Sequence, residues 1–134
     1  MKRERILIIE NESIIARDLE ISLEKLGWQV CGIAHTGRTA VEKTRAMKPD
    51  LLLVDIRLDG KMDGIDVVEE IAGFTDIPII YLTDFADDET LKRAKITLPY
   101  GYIVKPFEEG LLQAAIEMEV YKHRVEKEIR EKDK

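Results

Sequence analysis

Three aliphatic runs constrain this chain more than any other feature: Ile6-Leu7-Ile8-Ile9, Leu51-Leu52-Leu53-Val54 and the stretch from Ile77 to Leu82. Each closes on a polar residue, Glu10, Asp55 and Thr83 respectively. Runs this short, with no polar alternation, are too brief for buried helices and match parallel strands covered on both faces. Strands of that kind need helices on either side, and the intervening segments supply them. From Glu12 onward, Ile15, Leu19, Ser22, Leu23 and Leu26 recur at helical spacing until Gly27 stops the pattern. Gln29 to Ala34 reads as another strand. Thr36 to Met47, with Ala40, Val41, Thr44 and Met47 on one side, reads as a helix ending before Pro49. Asp63 is placed to cap a helix carrying Val67, Val68 and Ile71, with Asp66 in its first turn. Asp87 to Ala94, acids first and bases last, suits a short polar helix. Gly101 to Val104 gives a fifth strand, and Phe107 to about Glu131 one long final helix. Five strands alternating with five helices call for an α/β fold, a mostly parallel sheet between two helical layers.

Composition narrows the function. The 134 residues fit one domain. With 27 acidic against 21 basic residues the net charge is −6, the wrong sign for gripping nucleic acid through its phosphates, so direct nucleic-acid binding is disfavoured. Cys31 is the only cysteine, which excludes an intrachain disulfide and a thiolate metal centre and fits a reducing, cytoplasmic setting. No apolar run is long enough to span a membrane, and the N-terminus turns acidic where a secretory signal needs its hydrophobic stretch.

In open α/β sheets functional groups gather at the carboxyl ends of the strands. Those ends carry Glu10, Asn11 and Glu12, then Asp55, then Thr83 and Asp84, then Lys105. Acids brought together from different strands repel one another, and a hard divalent cation with oxygen ligands offsets the repulsion; Mg2+ is the natural candidate. A lysine and a threonine hydroxyl opposite the acids can bind anionic oxygens. With Asp55 as nucleophile, these are parts for accepting a phosphoryl group as an acyl phosphate.

The fragments ILIIENE, LLLVDIRLDGKMDGID, IIYLTDFAD and GYIVKPF, in that order and each at a strand end, resemble the response-regulator receiver domain of two-component signalling. The resemblance covers residues 4 to 122. It implies a doubly wound, flavodoxin-like five-stranded parallel sheet of order 2-1-3-4-5 flanked by five helices. A histidine kinase is implied as donor and a downstream effector domain or protein as target. Residue by residue, Asp55 matches the phosphorylated aspartate, Lys105 the conserved-type lysine, and Thr83 the hydroxyl residue that follows the phosphoryl group. Tyr102 matches the switch aromatic, whose movement remodels the face formed by the fourth helix, fifth strand and fifth helix. Glu10, Asn11, Asp55 and the backbone carbonyl of Arg57 are the implied Mg2+ ligands, and Lys105-Pro106 looks like the family's cis peptide. The implied chemistry is limited to self-phosphorylation and self-dephosphorylation rather than turnover of a separate substrate.

Two positions depart from the family's pattern. Asn11 stands where a second acid is usual, which predicts weaker metal affinity, and Asp84 stands where a small residue is usual. Two readings of Asp84 stand: its carboxylate crowds the phosphoryl site, or it supplies part of the negative charge missing at position 11; for the function as a whole, a pseudo-receiver, binding partners without phosphorylation, is the alternative. A flavin carrier is disfavoured because ENES is no phosphate-binding loop, and an aspartate-nucleophile phosphatase because Arg57 stands where its second acid belongs. His35, at a strand–helix junction, and His123, on a charged helix, read as bystanders; Trp28 and Cys31 read as packing residues. In the last helix Leu111, Ala115, Met118, Lys122, Val125 and Ile129 recur at alternating steps of four and three, the spacing of a coiled-coil seam, so a homodimer through this helix is an expectation. Residues 1–122 are expected to form the domain, and 123–134 a charged helical extension leading toward another module.

Overall fold

The computed structural model describes residues 4–58, 60–83, 101–105 and 107–132. The aliphatic runs become strands β1 (Arg5–Ile9), β3 (Leu51–Asp55) and β4 (Ile79–Thr83), joined by β2 (Gln29–Ala34) and β5 (Gly101–Val104). All pair in parallel, in the order β2-β1-β3-β4-β5. β4 starts two residues later than the run suggests because Pro78 has no N–H for the ladder; its carbonyl accepts from the Leu52 N–H instead, at 3.1 Å.

Helices α1 (Ser13–Lys25), α2 (Gly37–Met47) and α3 (Gly64–Ala72) and a final helix, Glu109–Lys132, make four among the described residues. The helix expected at Asp87–Ala94 lies outside them. Local chemistry sets the ends. Thr36 Oγ1 accepts from the Thr39 N–H while Thr39 Oγ1 accepts from the Thr36 N–H, and Asp63 and Asp66 form the same reciprocal box ahead of α3. Gly27, at φ 99°, turns the chain from α1 into β2.

Alternate residues of each strand face opposite layers, and both layers are apolar. Leu7, Ile9, Leu52, Val54, Ile79 and Tyr81 pack under α2 and α3, while Ile6, Ile8, Leu51, Leu53, Ile80 and Leu82 pack under α1 and the final helix. Burying each such side chain contributes about 1.5–3 kcal/mol, so a strand with both faces covered retains no polar position until it leaves the sheet. The functional groups therefore collect at the strand ends.

The final helix turns Leu112, Ile116 and then Glu119 inward, and its exposed stripe carries Leu111, Met118 and Ile129. It runs unbroken past Tyr121 and stays on the body. His123 Nε2 lies 3.0 Å from the Asp76 carbonyl, and Arg130 donates to Asp76 Oδ2 at 2.6 Å. His123 is thus part of a polar clasp. Trp28 donates its indole N–H to Gln113 Oε1 at 2.7 Å, and Cys31 sits half-buried with its thiol 3.5 Å from the Ile6 carbonyl, both in packing roles. Among the described residues no helix is long and apolar enough to cross a membrane.

Candidate functional site

Sheet register assembles the site. Ile9 pairs with Val54, so the next residues, Glu10 and Asp55, emerge side by side from β1 and β3. Thr83 pairs with Val104, and one step further the Lys105 N–H donates to the Thr83 carbonyl at 2.6 Å. From there the Lys105 side chain reaches back over β4 to both acids, with Nζ 2.8 Å from Glu10 Oε1 and 3.2 Å from Asp55 Oδ2. The remaining carboxylate oxygens bind backbone: the Glu12 N–H donates to Glu10 Oε2 at 3.2 Å and the Arg57 N–H to Asp55 Oδ1 at 3.0 Å.

Glu10 is completely buried and Asp55 and Thr83 nearly so. Burial, followed by the close Glu10 carboxylate, pushes the Asp55 carboxyl up to about 7, against the pull of Lys105 and the Arg57 N–H. Burial works against the charge on Lys105, but its hydrogen bond to Glu10 and the charges of Asp55 and Glu10 outweigh that effect and hold the ammonium above its usual range. Two acids thus share one cation, and buried charge that is only partly compensated is costly.

α3 fixes Asp55 from behind. A Cβ on Gly64 would collide with the Asp55 carbonyl oxygen, and the Gly64 N–H donates to the Ile56 carbonyl at 2.8 Å. Only glycine allows this approach.

The structure thus brings Glu10, Asp55 and Lys105 into direct contact, with Thr83 buried at the end of the neighbouring strand. Asn11 is half-buried directly after Glu10; α1 starts with Glu12 as its cap residue, so Asn11 does not cap it. The Arg57 side chain is exposed, and its backbone N–H, not only its carbonyl, engages the site. Tyr102 points outward from β5, 60% exposed. Asp84 and Pro106, and with them both readings of Asp84 and the cis peptide, lie outside the described residues. His35, expected to be a bystander, places Nδ1 2.9 Å from the Glu10 carbonyl. No motif marks that contact, because it depends on where β2 stops.

Among the described residues no group of three or more His, Cys, Asp or Glu side chains is arranged to hold a metal. The available donors are the Glu10 and Asp55 carboxylates, the Asn11 amide oxygen and the Arg57 carbonyl, all hard oxygens. Two buried acids on one lysine leave surplus negative charge, so this set fits a hard divalent cation such as Mg2+, with one charged ligand fewer than a second acid at position 11 would give.

The family model for the response regulator receiver domain matches residues 6–117. The transcriptional regulatory protein PdtaR of Mycobacterium tuberculosis is 38% identical over 120 residues, 90% of this chain and 58% of that protein. The phyllosphere-induced regulator PhyR of Methylorubrum extorquens is 34% identical over 117 residues, 87% of this chain and 43% of PhyR. The chain therefore spans about half the length of these curated relatives. The signal receiver domain of a modulated diguanylate cyclase from Desulfovibrio desulfuricans G20 superposes with a TM-score of 0.88 at 38% identity, covering 93% of this chain and 99% of that one. A CheY-like receiver domain protein from Methanospirillum hungatei JF-1 superposes with a TM-score of 0.84 at 25% identity, with coverages of 93% and 99%. Sheet order, site position and sequence similarity agree: the chain belongs to the response regulator receiver domain family, a signalling module of two-component systems.

Proposed function

We propose that Asp55 accepts a phosphoryl group from the phosphohistidine of a histidine kinase. A carboxylate oxygen of Asp55 forms the new O–P bond as the donor's N–P bond breaks, and the leaving imidazole takes up a proton. Glu10, Asn11, Asp55 and the Arg57 carbonyl would hold Mg2+, which when bound neutralises charge on the phosphoryl oxygens and favours the ionised form of Asp55. Lys105, released from Asp55 Oδ2, donates to one phosphoryl oxygen, and the Thr83 hydroxyl donates to another. Buried walls formed by β1, β3 and β4 keep bulk water from competing for these contacts. The observation that carries this reading is the Lys105 ammonium bridging Glu10 Oε1 and Asp55 Oδ2 in a buried cleft, where a polar cluster serves no packing purpose.

Thr83 following the phosphoryl group leaves room for Tyr102 to swing inward, and the surface of β5 and the final helix then changes for an effector domain or protein. Residues 1–122 act as the receiver and 123–134 as a charged helical extension toward another module. The exposed Leu111, Met118 and Ile129 stripe supports pairing of two copies through the final helix. Chemistry is confined to self-phosphorylation and self-dephosphorylation, in a cytoplasmic setting, with no direct contact to nucleic acid.

Incubation with a small-molecule phosphodonor and Mg2+, read by intact mass, tests the acceptor role. Wild-type protein gains one phosphoryl group and Asp55→Asn gains none; equal gain by both refutes it. Asn11 favours a second reading, a phosphorylation-independent interaction module, and absence of any gain in the wild type would select it.

A further inference from the structure

Glu10 has no exposed surface, so each of its backbone and carboxylate polar groups needs a partner. Three are met by expected means: its N–H donates to the Ala34 carbonyl at 2.9 Å, Oε1 accepts from Lys105 and Oε2 from the Glu12 N–H. The carbonyl is different. In a parallel ladder, the bond from the Glu10 N–H to the Ala34 carbonyl is followed by one from the Thr36 N–H to the Glu10 carbonyl. Thr36, however, is the cap residue of α2, and its N–H is turned to Thr39 Oγ1 at 3.3 Å. The His35 ring takes the vacant place, with Nδ1 2.9 Å from the Glu10 oxygen. A carbonyl can only accept, so Nδ1 carries the proton in this bond.

We infer that His35 is a positioning residue: its imidazole replaces the ladder bond lost where β2 turns into α2, and so fixes the peptide plane linking Glu10 to Asn11. That plane sets how both side chains enter the cleft. Without the donor, the Glu10–Asn11 peptide is free to rotate toward water, and the Asn11 amide oxygen moves with it. This role for His35 presupposes the cation site proposed above, in which Asn11 is a neutral ligand. A site short of one charged ligand depends more heavily on the aim of those it keeps.

The test compares His35→Asn, whose amide N–H can stand where Nδ1–H stood, with His35→Phe, which keeps a ring and loses the donor. Mg2+ is titrated while the backbone amide signals of residues 10–12 and 55–57 are followed by NMR, and phosphoryl gain is measured by mass on the same samples. The Phe variant is expected to bind Mg2+ about tenfold more weakly than wild type, and the Asn variant within about twofold. In metal-free protein the Glu12 amide, bound to Glu10 Oε2, should exchange with solvent faster in the Phe variant than in wild type or the Asn variant. If the Phe variant matches wild type in both measurements, or the Asn variant is as impaired as Phe, the positioning role is overturned, while phosphorylation of wild-type Asp55 leaves the acceptor reading standing. If wild type neither responds to Mg2+ nor gains a phosphoryl group, the acceptor reading falls and the positioning role falls with it.

Discussion

Replacing Asp55 by asparagine should stabilise the metal-free protein at neutral and mildly alkaline pH. The Asp55 carboxyl is displaced upward, from an ordinary 3.8 to about 7, by burial and by Glu10. A carboxyl raised in the folded state contributes its stability fully below its unfolded value and loses it as pH rises through the folded one. Here the loss runs from about pH 4 to about pH 7. Taken at face value, that displacement corresponds to about 4 kcal/mol. The substitution also removes the charged bond from Lys105 to Asp55 Oδ2, so about 2 kcal/mol is the expected net gain. Urea unfolding with chelator present, at about pH 4 and about pH 8, measures it directly. Asp55→Asn should exceed wild type by about 2 kcal/mol at the higher pH and nearly match it at the lower, and saturating Mg2+ should narrow the gap by stabilising wild type preferentially. A variant equal to or weaker than wild type at about pH 8 would refute the claim that the paired carboxylates are held under electrostatic strain.

Gly64→Ala should cost about 2–4 kcal/mol in unfolding free energy, because its Cβ meets the Asp55 carbonyl oxygen and adjacent backbone rather than a movable side chain. Phosphoryl gain should fall with it, since the displaced atoms belong to Asp55, the proposed acceptor. A circular-dichroism melt unchanged from wild type would count against the close approach. Asp76→Ala removes the common partner of His123 and Arg130, and hydrogen exchange across residues 123–132 should rise by about twofold to fivefold while the sheet is unaffected. Unaltered exchange there would mean the clasp does not hold the end of the helix.

The fold was legible because the sheet is buried on both faces. Ile6–Ile9 and Leu51–Val54 admit no polar residue until the strand ends, so Glu10 and Asp55 stand out as groups placed for a purpose. Thr36, Asp63 and Gly27 marked helix ends by local bonds or backbone freedom that need no tertiary information. Features that depend on three-dimensional neighbours were not legible. Nothing in the sequence singles out Gly64, whose need arises only from the passage of Asp55 beneath it. His35 acquires its partner because β2 stops at Ala34 and Thr36 turns away, a matter of one residue in strand length. The final helix carries two stripes with the same four-and-three spacing, and hydrophobicity favoured the exposed one. The inward stripe contains Glu119, which a hydrophobic pattern rejects. The structure accommodates it through Lys122 at 3.1 Å and the missing side chain of Gly101, where a Cβ would lie 2.7 Å from Glu119 Oε1.

The most direct measurement of the central claim is chemical trapping of the acceptor. Protein treated with a phosphodonor and Mg2+ is reduced with borohydride, which converts an aspartyl phosphate to homoserine, and is then mapped by peptide sequencing. Homoserine at position 55, dependent on both donor and Mg2+, is the predicted result. Modification at another aspartate, or none in protein shown to bind Mg2+, would contradict it.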